Sequence, residues 1–174
     1  MNAVSDDIQL FNDHMPPLGS DEALMVLKGH LLVEQLLRAF CTKHVFVDVD
    51  EPPRVQFFTL YWAARAACYD ESIGWAWRAA NQLNSIRNDL AHQLTPKAHE
   101  RKVEALIDVV FEHRPMFKSL LKADQPRGNR VALAIFGIYD EISRALNVEV
   151  FTHEGEETFF DAGDFIDLPL SDPP

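Results

Sequence analysis

Residues 87–92 of the chain read Arg87-Asn88-Asp89-Leu90-Ala91-His92. An imidazole takes up and releases a proton near neutral pH more readily than any other side chain. A guanidinium offers a rigid fork of donors that fits phosphate or carboxylate oxygens. Together the two groups can perform acid–base chemistry beside an anion. Asn88 and His92 are four apart, on one face of a helix, so the amide can orient the imidazole or bind the anion itself. Arg87 and His92 are five apart, which on an ideal helix sets them roughly 140° and about 7.5 Å from each other, so one helix alone does not converge them. The same residues admit a structural role. Arg87 can pair with Glu34, which follows His30 by four on an earlier helix, and His92 can sit near a helix end against its C-terminal carbonyls. Downstream, Lys97, Arg101 and Lys102 can track a phosphate backbone or simply form a solvated helix face.

The elements that must position these groups are helical. Residues 1–19, with Asp6, Asp7, Pro16, Pro17 and Gly19, are expected to form a mobile arm. Ser20 is the expected N-cap of a helix reaching about Thr42, with Asp21 and Glu22 in its first turn. Met25, Leu32, Val33, Leu36, Leu37 and Phe40 fill one arc of that helix, and Leu24, Leu27 and Leu31 a second, which predicts a place at the centre of a bundle or between subunits. Val45 to Pro53, of which Val45 to Val49 can also read as a strand, connects to a second helix carrying Phe57, Leu60, Tyr61, Ala64 and Cys68, which Asp70-Glu71-Ser72 ends. A third helix, about Ile73 to Leu94, carries an apolar stripe (Ala76, Ala79, Leu83, Ile86, Leu90, Leu94) and a separate polar one of Asn81, Ser85, Asn88 and His92. Trp75 and Trp77 face different sides of it, so at most one is expected to be fully core, leaving the other for base stacking or a dimer contact.

Thr95-Pro96 opens a fourth helix with Val103, Leu106, Ile107, Val110 and Phe111, which Pro115 kinks or ends for want of an amide donor. Gln125 to Asn129 turns the chain into a fifth helix carrying Val131, Ile135, Ile138, Ile142 and Leu146. The fold class is therefore all-α, an up-and-down bundle of about five helices over residues 20–147. Beyond it, residues 148–174 form an acidic tail in which Val148 to Phe160 permits a small hairpin.

Charge is distributed unevenly. The net charge is −11, which at first sight argues against a nucleic-acid partner. Residues 148–174 hold eight acids and no Lys or Arg, and residues 1–22 hold five acids and no base, so 14 acids face all 16 bases in between. The body is mildly basic. No run of apolar residues is long enough to span a membrane, and Cys41 and Cys68 read as small buried apolar residues of a cytoplasmic protein. His14, His30, His44, His99, His113 and His153 show no paired metal-ligand spacing, and no glycine-rich phosphate loop occurs, so neither a metal nor another cofactor is expected.

Three stretches carry a resemblance: Leu27-Lys28-Gly29-His30-Leu31-Leu32-Val33-Glu34-Gln35-Leu36-Leu37, Phe57-Phe58-Thr59-Leu60, and Leu83-Asn84-Ser85-Ile86-Arg87-Asn88-Asp89-Leu90-Ala91-His92. Together they resemble the HEPN superfamily, small helical bundles of toxin, defence and RNA-processing proteins. Its signature is an Arg, four to six intervening residues and a His, often with Asn after the Arg, and this chain has the four-residue form. The resemblance covers roughly residues 20–147. It implies a homodimer in which two copies of the motif helix meet and pool their Arg and His groups in one cleft. The activity it implies is metal-independent RNA cleavage, with Arg87, Asn88 and His92 catalytic, His30 and Glu34 in structural support, and an antitoxin or other protein as a further partner. The opening helix is also similar to the mannitol operon repressor family, which implies a non-catalytic regulatory or interaction module.

Overall fold

The computed structural model describes residues 9, 11–46, 54–68, 70–92, 99–121 and 125–146. These form helices α1 (Glu22–His44), α2 (Phe57–Ala67), α3 (Gly74–His92), α4 (His99–His113), α5 (Met116–Leu120) and α6 (Arg127–Leu146), with a 3₁₀ turn over Glu71–Ile73 before α3. No strand occurs among the described residues, so the chain is an all-α bundle. The C-terminal hairpin expected from Val148 onward lies outside the described residues.

The first helix starts one residue later than expected. Asp21 is its N-cap, and the carboxylate accepts from the amides of Ala23 and Leu24 at 2.9 and 3.2 Å. A charged acceptor at this position also meets the positive end of the helix dipole, which favours it over the neighbouring Ser20 hydroxyl. Glu22 then bonds His99 at the start of α4 (2.9 Å) and receives Arg127 at the start of α6 through both Nε and Nη2. One carboxylate thus ties together the N-termini of α1, α4 and α6. Glu104 with Arg130, and Arg114 with Asp140, repeat the α4–α6 pairing further along, so these two helices run in the same direction. Asp89 late in α3 pairs with Lys102 early in α4, while Trp75 at the start of α3 stacks on His113 at the end of α4, so α3 runs opposite to α4. The Arg114-Pro115 break and α5 turn the chain back toward the start of α6, as the missing proline amide predicts.

Of the two apolar arcs on α1, only the first is buried. Met25, Val33, Leu36 and Leu37 are wholly inaccessible, whereas Leu24, Leu27 and Leu31 stay exposed. Each fully buried side chain of that size contributes about 1.5–3 kcal/mol, so the first arc supplies much of what holds α1 in place. Gly29 sits where α1 meets α6: a Cβ there would lie 2.6 Å from both Cδ1 and Cγ2 of Ile135. The segment before α1 is tied down at its described end. Phe11 is 2% exposed against Phe136 and Tyr139, and Gly19 N–H donates to Asn129 Oδ1 at 2.8 Å. Residues 11–19 are part of the fold rather than an arm, because Phe11 fills a gap beside α6 that the α1 periodicity does not reveal.

Both cysteines are free thiols. Cys41 donates to the Leu60 carbonyl at 3.7 Å and Cys68 to the Ala145 carbonyl at 3.1 Å, and burial pushes both thiols above their ordinary range. Among the described residues no helix is long and apolar enough to cross a membrane.

Candidate active site on the third helix

The polar stripe on α3 faces outward. Asn81, Ser85 and His92 are exposed and Asn88 is half-buried, while Ala76, Ala79, Leu83 and Ile86 on the opposite side are wholly buried. His92 is the last residue of α3, so its imidazole stands in solvent at the end of the stripe. Arg87 is half-buried at the edge of the helix, where its Nη1 donates to Asn88 Oδ1 at 3.0 Å. The amide expected to orient His92 is thus engaged with the guanidinium instead, since the adjacent residue is within easier reach of a long side chain than one a full turn away.

Glu34, the alternative partner for Arg87, is taken by Arg38 at 3.0 Å and lies 3.9 Å from His30 Nδ1. No carboxylate of the described residues lies within ion-pair distance of Arg87. That contrasts with Arg114, Arg127, Arg130 and Arg144, each paired with at least one acid. Among the described residues Arg87 therefore has no acid partner, a state it shares with Arg65, which donates to the Tyr61 hydroxyl.

Beneath the motif, His30 forms the junction of three helices. Its ring packs on Phe57 of α2 at 4.7 Å between centroids, and its Nε2 donates to Asn84 Oδ1 of α3 at 2.9 Å. Burial is the main cause that pushes the His30 pKa below its usual 6.5, and the nearby Arg87 charge lowers it further, while the bonds to Asn84 and the charge of Glu34 work the other way. The sign of the resulting pH dependence follows. Because the folded protein holds this proton less tightly than the unfolded chain, stability is intact above pH 6.5 and is lost as pH falls from there toward the lowered folded value. His30→Gln, which keeps a donor toward Asn84, is expected to flatten the fall in melting temperature between about pH 6.5 and 5 relative to the native protein. Parallel melting curves for the two proteins across that window would refute the assignment.

The basic residues after the motif separate into different roles. Lys97 lies outside the described residues. Arg101 is exposed. Lys102 is engaged: its Nζ bonds Asp89 Oδ2 and reaches Ser85 Oγ at 3.4 Å, and its carbonyl accepts from Gln82. Of the two described candidates for tracking phosphates, only Arg101 has its charge directed to solvent, because α4 lies alongside α3 and brings Lys102 against an acid of the motif helix.

The tryptophans also depart from expectation. Trp75 and Trp77 are both buried, at 5% and 1% exposure. Trp77 packs edge-on against Tyr61 of α2, and Trp75 is covered by the His113 ring stacked on it at 5.0 Å. Two neighbours on different sides of α3 bury what one helix face cannot. The accessible indole is Trp62, 48% exposed, beside Phe58 on α2. Its place three residues after Thr59, off the buried row of Phe57, Leu60, Tyr61 and Ala64, was the available signal for it.

A polar cavity of about 520 Å³ lies at the far end of α3, lined in part by Trp75, His113, Arg114, Glu141 and Arg144. There Arg114 and Arg144 both pair with Asp140, whose carboxyl burial pushes upward in pKa. Its cations are matched internally, unlike Arg87. No family model, no curated protein and no solved structure matches this chain.

Proposed function

We propose that this chain is a metal-independent endoribonuclease of toxin or defence type, acting as a homodimer whose α3 helices face each other. The observation that carries the reading is the state of Arg87: a guanidinium held in place by a neutral amide and by no acid of the described residues, on the same helix as a solvent-exposed imidazole. A guanidinium buried for structural reasons is costly to leave without a carboxylate. A group meant to receive a phosphate must keep its donors available instead. The likeness of residues 27–37, 57–60 and 83–92 to HEPN bundles supports the same reading.

Two copies are required because Arg87 and His92 diverge around one helix. A two-fold pairing across the outward polar stripe sets each residue near its own mate and the second copy's other group. In the reaction, the ribose 2′-oxygen attacks the adjacent phosphorus as one His92 accepts the 2′-hydroxyl proton. The bond from phosphorus to the 5′-oxygen then breaks, and a proton from the second copy's imidazole passes to the leaving oxygen. Arg87 holds the phosphate and offsets charge building on its free oxygens. The products are a 2′,3′-cyclic phosphate and a 5′-hydroxyl.

The test is incubation of the purified protein with mixed RNA in excess chelator. Cleavage that leaves cyclic-phosphate ends, and that stops when the residue at the cut carries 2′-deoxyribose, is the expected result. Cleavage of DNA at a comparable rate, or ends carrying a 5′-phosphate, would rule the chemistry out. A second reading, a non-catalytic interaction module, is favoured by the exposed row of Leu24, Leu27 and Leu31 on α1. It predicts an intact homodimer or heterocomplex with no RNA cleavage under any of these conditions.

A further inference from the structure

The exposed flank of α2 combines apolar and cationic character. Phe58 and Trp62 are about half exposed, their rings meet edge-on at 5.9 Å, and the Arg65 guanidinium lies 5.1 Å from the Trp62 ring. Arg65 also donates to the Tyr61 hydroxyl at 3.1 Å, and no carboxylate of the described residues pairs with it. Two large exposed rings under an unmatched cation form a surface suited to a segment carrying both phenyl rings and carboxylates.

The chain contains such a segment, and it follows the helix that ends beside the C-terminal end of α2. Cys68, which caps α2, donates its thiol to the carbonyl of Ala145 at 3.1 Å, so α2 and α6 end side by side. Residues 148–174 follow directly, with eight acids, no Lys or Arg, and Phe151, Phe159, Phe160 and Phe165 among them. Counting back from Cys68 along α2 at about 1.5 Å per residue, Trp62 lies about 9 Å away and Phe58 about 15 Å. An extended chain advances about 3.3 Å per residue, so four residues beyond Ala145 span about 13 Å and six about 20 Å, long enough for Glu149 and Phe151 to reach Arg65, Trp62 and Phe58.

The geometry points to docking of the acidic tail, residues 148–174, along the Phe58–Trp62–Arg65 flank of α2 in the same molecule. Its carboxylates meet Arg65 and its phenyl rings cover Trp62 and Phe58. Because α6 ends beside the end of α2, a tail that docks on the same molecule has a short tether, which gives a high local concentration that a free peptide lacks.

Trp62 is itself the probe, since Trp75 and Trp77 are buried. Acrylamide quenching of tryptophan fluorescence in the full chain reads its accessibility, and loss of the quenchable component in Trp62→Phe assigns the signal. In a full-length variant carrying Phe151→Ser, Phe159→Ser, Phe160→Ser and Phe165→Ser, the quenching constant is expected to rise about twofold or more, because an uncovered indole is far more open to collision than one packed under other rings. A smaller rise is expected on raising salt in the native protein, and none on diluting it. Arg65→Glu should raise the constant more in the native chain than in the four-serine variant, a non-additivity that marks a direct contact. An unchanged constant in the four-serine variant overturns the proposal, as does protection of Trp62 that vanishes on dilution, which would assign the contact to the tail of another copy. None of these readouts involves RNA.

Discussion

His92→Ala is expected to reduce RNA cleavage by about 10²- to 10⁴-fold, the usual size of a general acid–base contribution. The substitution is a clean probe because His92 is an exposed terminal residue of α3 and anchors nothing in the core. Its melting temperature should therefore match that of the native protein to within a few tenths of a kcal/mol of stability. Arg87→Ala should lower the rate by about 10²- to 10³-fold, as removal of a preorganised donor to a developing charge does. Arg87→Lys should recover little, since an ammonium cannot present the planar fork. Loss of the Arg87 charge should also move the pKa of His30 back toward 6.5, a change visible in an NMR titration and independent of catalysis. Rates are to be measured in single turnover with chelator present, alongside thermal melts. Full activity in either alanine variant would remove that residue from the mechanism. A loss of activity matched by unfolding in Arg87→Ala, with His92→Ala still active, would place Arg87 among the groups that hold the bundle together.

The largest expected effect on stability comes from Gly29→Val. A single Cβ at residue 29 would lie 2.6 Å from two atoms of Ile135, one of them the Cγ2 attached at the branch point of that side chain. Rotating the far end of Ile135 cannot clear both contacts, so α1 and α6 must separate. Overpacking of a filled core costs about 1–3 kcal/mol and occasionally more, and the two γ-methyl groups of valine put this case at the upper end. At roughly 2–4 °C per kcal/mol for a chain of this size, the melting temperature should fall by about 6–12 °C. Gly29→Ala should fall less, since alanine regains up to about 1 kcal/mol of helix propensity. Adding Ile135→Ala to Gly29→Val should cost far less than the sum of the two single changes, because each cavity and each excess volume offsets the other. Additive losses would show that the α1–α6 approach is not what restricts residue 29.

Where the helices lie was legible in the chain because their signals are local. The three- and four-residue recurrence of Leu36, Leu37 and Phe40, of Leu83, Ile86 and Leu90, and of Ile135, Ile138 and Ile142 describes faces that each helix carries by itself. The break at Pro115 follows from a missing amide, and the outward row of Asn81, Ser85, Asn88 and His92 from turn geometry alone. Three-dimensional packing decided what these faces meet. Nothing within α1 distinguishes its arc through Leu24, Leu27 and Leu31 from the arc that α6 and α3 bury, and nothing near Trp75 announces that His113 will cover it. Long charged side chains choose among partners brought close only by the fold: Lys102 takes Asp89, Glu34 takes Arg38, and Arg87 is left on Asn88. Periodicity is a property of one helix, whereas burial and ion pairing depend on which helices become neighbours, and that is settled by contacts between residues far apart in the chain.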